Sequence, residues 1–319
     1  MNRRLIGRTL RRKMNDLIDS IDDEKVKESV RENAFITGGS IVSLLENEPV
    51  KDFDIYLRTR ESALLVTQYY VDKFKSKLRV MSNSKPKTSF ADVSVFSDDI
   101  SGQIKINLNK RGFASLSDED VSDITGEQTD VPSGYVQSVL GGDLVAIDGA
   151  KKEDPANPDE KYVPIFLSDN AITLSDKIQI VIRFFGEPDE VHKNYDFVHC
   201  TNYWKSWDGE LVLNPLALES ILTKNLMYQG SLYPICSIIR TRKFIQRGWY
   251  INAGQFLKMS AQISNLDLSD IDVLREQLTG VDALYFSQII EECQKQISEN
   301  PGFSITSGYL SEVLDKIFG

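Results

Sequence analysis

Cysteine and histidine are scarce in this chain of 319 residues. The three cysteines, Cys200, Cys236 and Cys293, form an odd number without paired spacing, and only His192 and His199 could join them as ligands. The sequence therefore predicts neither a disulfide framework nor a zinc site, and it favours a reducing, cytoplasmic compartment.

Long apolar runs are also missing. No segment approaches the roughly 18 consecutive apolar residues that indicate a membrane-spanning helix, so no membrane span is expected. The basic N-terminus lacks the apolar centre of a secretion signal, and its apolar residues instead recur at near-helical spacing. A net charge of −10 argues against a protein that coats nucleic acid non-specifically. It leaves room for a local basic groove.

The order of sequence patterns predicts an α+β fold, in which a mixed sheet flanked by helices precedes an all-helical C-terminal part. Residues 1–33 are expected to form an N-terminal segment whose residues 5–32 make one long polar helix. Residues 34–213 are expected to form the α/β domain. A large polar insertion with short β-like runs interrupts it at about 76–162. Three strand-like runs follow the insertion, the last being "DFVHCTNYW". Residues 214–319 predict helices.

One short stretch carries the clearest chemical pattern. A strand is followed by Gly38, Gly39 and Ser40, then by a short helix, and then by a strand that contains Asp52 and Asp54. Positions i and i+2 of a strand share a face, so both carboxylates point one way and raise each other's pKa, a conflict that Mg²⁺ relieves. The glycines let backbone N–H groups approach phosphates. Alone, the two glycines are mostly an ordinary turn and the two aspartates are usually a solvated strand face or loop. Their joint order within 23 residues favours a phosphate and metal site.

This stretch resembles the signature of the polymerase-β-type nucleotidyltransferase superfamily, most closely its class II CCA-adding enzyme and bacterial poly(A) polymerase branch. The residues that carry the resemblance are Gly38, Gly39, Leu45, Pro49, Asp52 and Asp54. It implies a nucleotidyltransferase-type sheet, in which Asp52 and Asp54 hold Mg²⁺ (or Mn²⁺). It also implies that Gly38, Gly39 and Ser40 contact the phosphates of an NTP.

The resemblance continues more weakly downstream. The run "KNYDFVHCTNYW" resembles the branch's Arg-Arg-Asp-Phe strand, which implies Asp196 as a further metal ligand. We expect Arg183 and Lys193 to reach the triphosphate, with an ordinary surface role as the alternative. The run "YPICSIIRTRKFIQRGWYI" resembles the arginine-rich neck helix. Its cations are candidates to contact the backbone of an RNA or DNA acceptor, or else form a solvated helix face: Arg240, Arg242, Lys243 and Arg247.

Two departures from the family pattern limit what the resemblance implies. The neck helix of CCA-adding enzymes opens with an acidic and an arginine residue that read the base of ATP or CTP, whereas this chain has "LYPIC" there. The third acidic position of the catalytic sheet holds Gln179, which cannot act as a carboxylate. CCA addition by the usual templating device is therefore not expected.

Two functions remain open from the sequence. The first is a Mg²⁺-dependent nucleotidyltransferase that moves an NMP from an NTP such as ATP to an acceptor, with a nucleic acid 3′-end as the first candidate. The alternative is a catalytically inactive descendant of that fold, kept as a binding or assembly protein, for example of a phage. The sequence also resembles nucleotidyltransferase-like proteins of tailed phages, which places the protein in the cytoplasm of an infected host.

Overall fold

A computed structural model describes residues 2–81, 93–97, 102–108, 145–146, 161–167, 170–277, 283–300 and 302–318. Most of the predicted insertion, including its polar loops, lies outside the described residues. No described helix is both long and apolar enough to cross a membrane.

Two helices, not one, form the N-terminal segment. Helix α1 (Arg3–Asp19) ends before a short turn, and α2 (Glu24–Asn33) begins after it. The side chain of Asp23 accepts hydrogen bonds from the backbone N–H groups of Lys25 and Val26, so it caps α2 and starts a new helix. The prediction of a single helix over residues 5–32 is therefore wrong at this turn.

The elements of the glycine and aspartate stretch are as predicted. Strand β1 (Ala34–Thr37) leads directly into helix α3 (Gly39–Glu46), and β2 (Phe53–Leu57) leads into the long helix α4 (Arg60–Met81). Asp52 comes immediately before β2 and Asp54 lies within it.

The rest of the α/β part is built from short strands with one short helix, α5 (Pro188–His192). These strands are β3 (Val93–Ser97), β4 (Ile104–Leu108), β5 (Val145–Ala146), β6 (Pro164–Leu167), β7 (Ala171–Leu174), β8 (Ile178–Val181), β9 (Tyr203–Lys205) and β10 (Leu211–Val212). Strands β3 and β4 pair only with each other among the described residues. The run "DFVHCTNYW" is not one strand, because Val198–Cys200 forms a 3₁₀ turn before β9.

Six helices make up the C-terminal part, as predicted. They are α6 (Pro215–Thr223), α7 (Pro234–Gln246), α8 (Ala253–Ile263), α9 (Ile271–Gln277), α10 (Ala283–Glu299) and α11 (Ser307–Phe318), counted over the described residues. Helix α7 carries the basic cluster that is expected to contact the backbone of a nucleic acid acceptor.

The main sheet is mixed, which confirms the predicted fold class. Its order is β10-β9-β1-β2-β8-β7-β6-β5, and the β2–β8 pair is parallel while the other pairs are antiparallel. In the centre of the sheet Thr37 pairs with Asp54, and Asp54 in turn pairs with Gln179. Because paired residues share a face, these three side chains form one row across β1, β2 and β8.

The two faces of the sheet are covered differently. Residues such as Ile36 and Ile55 lie in the main core with buried side chains of α1, α2 and α4. Phe35 and Tyr56 point to the opposite face, where they form a smaller cluster with Val191 of α5. Alternation along the strands puts the Thr37–Asp54–Gln179 row on this second face, called here the front face. The large core thus packs against the back face of the sheet, and the polar row lies on the front face.

Candidate active site

The turn between β1 and α3 requires glycine at its first position. Gly38 has a φ of 83° and a ψ of −149°, a conformation that residues with a Cβ rarely adopt. A Cβ placed there would lie 3.1 Å from Oδ2 of Asp54 and 3.6 Å from the hydroxyl oxygen of Tyr195. The backbone N–H of Gly38 donates to the carbonyl of Cys200 at 3.2 Å. The turn is therefore held directly against the Asp54 carboxylate.

The next two residues of the turn differ in access. Gly39 is exposed, and a Cβ added to it would meet nothing within 4 Å, so the N-terminus of α3 opens on free space. The Ser40 side chain is buried, and its hydroxyl donates to the Thr37 carbonyl at 3.5 Å. The open N–H end of α3, rather than the serine hydroxyl, is thus the part of the turn that can meet an anion.

The two aspartates of the stretch interact electrostatically. Burial raises the pKa of the Asp54 carboxyl well above its ordinary value, and the nearby charge of Asp52 raises it further. The pKa of Asp52 is raised less, mainly by desolvation and against the opposing charge of Lys51, while its side chain keeps solvent access. Phe53, between them, is buried, as the alternation of a strand requires. A cation between the two carboxylates would relieve both the burial cost and the repulsion.

The carboxylates have no third acidic partner in the described part of the chain. No group of three or more His, Cys, Asp and Glu side chains that could hold a metal occurs there. Gln179 pairs with Asp54 in the sheet, at the position where the family resemblance implied a third acidic residue. Asp196, expected as a further ligand, accepts a hydrogen bond from Arg240 at 2.8 Å, and its role toward a metal stays a prediction. Two carboxylates still suit Mg²⁺, which commonly takes one or two together with water and substrate phosphates.

Tyr195 is a neighbour of the site that the sequence patterns do not reveal. Its ring centroid lies 6.0 Å from that of Tyr56 and 5.1 Å from that of His192. Burial raises the pKa of both phenols, and the charge of Asp54 raises them further. Both tyrosines therefore remain protonated beside the carboxylate. A single tyrosine between Asn194 and Asp196 carries no signal of its own that points to the site.

Two cations, Arg183 and Lys193, are expected at the triphosphate, and Arg183 contacts residues other than those of the glycine turn. Arg183 donates to the Asn170 side chain at 3.4 Å and hydrogen-bonds the Tyr233 hydroxyl, and its guanidinium stacks 4.6 Å from the Tyr233 ring centroid. Lys193 is exposed at the C-terminus of α5. Arg183 thus joins the end of β8 to the start of α7, and the roles of both residues toward a nucleotide stay predictions.

Helix α7 is fastened to the α/β part by two of its predicted acceptor-binding cations. Arg240 pairs with Asp196, and Arg247 donates to Glu48, just after α3, at 2.7 Å. Arg242 is exposed and Lys243 is half-buried. The four cations therefore divide between holding α7 and facing outward.

Comparison with known proteins places this arrangement in a family. The model of the Gabija anti-defense 2 family matches residues 8–224, which include the whole glycine and aspartate stretch. The chain belongs to this family. A relative named Gabija anti-defense 2, from Bacillus phage SPbetaL7, is 17% identical over 279 residues. That match covers 87% of this chain and 49% of the relative, so the chain spans about half of the relative's length. The prediction of phage-encoded relatives is confirmed.

Solved structures similar to this member of the family are CCA-adding enzymes. The Thermotoga maritima enzyme complexed with tRNA is 13% identical with a TM-score of 0.37, and the match covers 94% of this chain and 58% of that one. A CCA-adding enzyme with CTP is 13% identical with a TM-score of 0.35, over 89% and 53% of the two chains. The Bacillus stearothermophilus enzyme with CTP is 11% identical with a TM-score of 0.29, over 81% and 47%.

The glycine turn allows a matched pair of substitutions. Gly38→Ala is expected to lower the free energy of unfolding by about 1–3 kcal/mol, because alanine strains this backbone and its methyl group crowds Asp54. Gly39→Ala, at an open helical position, should change stability little. Urea denaturation of both variants measures the difference. Equal stability of the two variants would contradict the close approach of Gly38 to Asp54.

The raised pKa of Asp54 predicts a pH-dependent effect of Asp54→Asn. An aspartate with a higher pKa in the folded than in the unfolded chain stabilises the fold at acid pH, and this contribution is lost as pH rises from the ordinary value toward the folded one. Asparagine cannot ionise, so in metal-free buffer the variant should be more stable than the parent protein at neutral pH. The advantage should shrink as pH falls toward the ordinary carboxyl pKa of 3.8.

The measurement is urea denaturation across this pH range, with Asp19→Asn as the control. Asp19 is an exposed carboxylate at the end of α1. A stability difference for Asp54→Asn that is independent of pH, or one that matches the control, would contradict the assignment of a desolvated, repelled carboxylate.

Proposed function

We propose that this member of the Gabija anti-defense 2 family is a Mg²⁺-dependent nucleotidyltransferase. It would transfer an NMP from an NTP such as ATP to an acceptor, with a nucleic acid 3′-end as the first candidate. The reaction would serve, in the cytoplasm of the infected host, the anti-defense activity after which the family is named. The observation that supports this most is the Gly38 turn, which brings the open N-terminus of α3 against the half-buried carboxylate of Asp54.

The donor set suits a hard divalent ion. Asp52 and Asp54 supply carboxylate oxygens, and their raised pKa values report a charge conflict that a cation removes. Mg²⁺ or Mn²⁺ held there would polarise the phosphates and favour the ionised form of an attacking hydroxyl. Gln179 would stand beside this pair as a neutral hydrogen-bonding group.

The chain's own groups would position the nucleotide. Backbone N–H groups at the start of α3 would bind the β- and γ-phosphates, helped by the positive end of the helix dipole. The acceptor oxygen would then bond to the α-phosphorus while the bond to the bridging oxygen breaks and pyrophosphate leaves. Positioning by fixed donors, without reorganisation during the reaction, is the main contribution that such a site can make.

A nucleic acid acceptor would meet α7 through Arg242, which is exposed. Arg240 and Arg247 already pair with carboxylates, so they would contribute by holding the helix in place. Such an interface would be small, in keeping with a net charge of −10.

A second candidate function is that of a nucleotide-binding protein without transfer activity. The neutral Gln179 beside Asp54 favours it, because the described residues supply two carboxylates and no third. Such a protein would bind a metal–nucleotide complex, for example to sequester it or to respond to it, through the same turn and the same aspartates.

Both candidates predict metal-dependent nucleotide binding through the aspartates. In a calorimetric titration the purified protein should bind an NTP with Mg²⁺ or Mn²⁺, and Asp52→Asn/Asp54→Asn should abolish this binding because the metal loses both charged ligands. Asp189→Asn, an exposed acidic position on α5, should bind normally. Absence of metal-dependent NTP binding by the parent protein would sink both candidates.

Transfer and anti-defense activity separate the two candidates. The parent protein should label an RNA, DNA or protein acceptor when incubated with each α-labelled NTP, and its expression in bacteria with the Gabija defence should restore plating of a phage that the defence restricts. Asp52→Asn/Asp54→Asn should lose both effects and Asp189→Asn should keep them. Restored plating without any labelled acceptor would favour the binding protein, and restored plating by the double variant would exclude the site from the anti-defense function.

A further inference from the structure

The hydroxyl of Tyr195 lies at the glycine turn, outside the set of groups that the sequence motif marks. We propose that Tyr195 is a nucleotide-binding residue, whose hydroxyl donates a hydrogen bond to a phosphate oxygen of the metal-bound NTP. This inference rests on the proposed function of the same site, and it adds a binding residue to it.

The position of the hydroxyl relative to the turn carries the inference. Its oxygen lies 3.6 Å from the point where a Cβ of Gly38 would stand, and Oδ2 of Asp54 lies 3.1 Å from the same point. The phenol and the carboxylate therefore flank one spot, directly at the entry to α3. A phosphate that reached both the N-terminal N–H groups of α3 and a cation at Asp54 would come close to this hydroxyl.

The ring of Tyr195 is held in place by groups other than its hydroxyl. Its backbone carbonyl accepts from the Gln229 side chain at 2.9 Å, and its backbone N–H donates to the His192 carbonyl at 3.0 Å. The ring centroid lies 5.1 Å from that of His192 and 6.0 Å from that of Tyr56. A phenylalanine could keep every one of these contacts. The hydroxyl is thus the one part of the side chain whose place the packing does not require.

The chemistry of the tyrosine pair suits donation to an anion. The Tyr195 ring packs 6.0 Å from the Tyr56 ring, and a tyrosine hydroxyl carries one proton that it can donate. A phenol has an ordinary pKa of about 10, so this hydroxyl is protonated at neutral pH. A neutral phenol can therefore donate to a phosphate oxygen at this place. The neighbouring carboxylates, in contrast, would repel the phosphate.

A conservative variant tests this contact. Binding of Mg²⁺–ATP and of Mg²⁺–tripolyphosphate is measured by calorimetry for the parent protein, for Tyr195→Phe and for Tyr203→Phe. Tyr203 belongs to the same aromatic cluster, with its ring 5.5 Å from that of His192. We expect Tyr195→Phe to bind both probes about tenfold more weakly, the effect of one hydrogen bond to a charged group. Tyr203→Phe should bind both as the parent protein does, and all three proteins should have similar urea midpoints.

Each other result overturns the inference. Unchanged affinity of Tyr195→Phe would show that the hydroxyl makes no contact, while leaving the proposed function intact. A loss confined to Mg²⁺–ATP would place the hydroxyl at the nucleoside instead of the phosphates. An equal loss in Tyr203→Phe would indicate a general loosening of the cluster. A parent protein that binds neither probe would overturn the proposed function and this inference together.

Discussion

The candidate site depends on the pairing register of β1 and β2. Because Thr37 pairs with Asp54, the turn that follows Thr37 must pass directly over the Asp54 carboxylate, and only glycine allows that path. No lysine or arginine in the described ranges forms an ion pair with Asp54, so the fold buries part of a negative charge without compensating it. Such a charge is costly for a fold alone. Its cost becomes understandable if a cation from outside completes the site.

The rest of the sheet offsets the free-energy cost of partly burying the Asp54 charge. Helices α1, α2 and α4 bury a large apolar core against the back face, while the front face carries only a small aromatic cluster beside α5. Hydrophobic burial behind the strands holds β1 and β2 in place, so the Gly38 turn and the repelled aspartates in front need not contribute to stability. Division of the sheet into a stabilising face and a polar face is what separates folding from the proposed chemistry.

The sequence predicts those parts whose signals are local. The periodicities of β1, α3, β2 and α4 are clear within each element, and the buried Phe53 between two aspartates follows from strand alternation alone. The break at Asp23 was also accessible, since an aspartate before Glu24 is a helix-start pattern. The 3₁₀ turn at Val198–Cys200 was not. His199 is buried there between Phe244 and Trp249 of the helical part, contacts that no local pattern contains. Tyr195 likewise gains its meaning only from the fold.

The basic helix α7 shows that the fold gives partners to charges that the sequence presents only as a cluster. Four cations on one helix suggest a surface for nucleic acid, yet Arg240 and Arg247 have carboxylate partners in Asp196 and Glu48. The Arg240 pair is the less exposed of the two, and loss of one partner would leave the other charge in a partly desolvated place. A nucleic acid that recruited these arginines would compete with their carboxylates and loosen α7 from the sheet. If the protein binds a nucleic acid acceptor through these arginines, as proposed, that binding would be coupled to the position of α7.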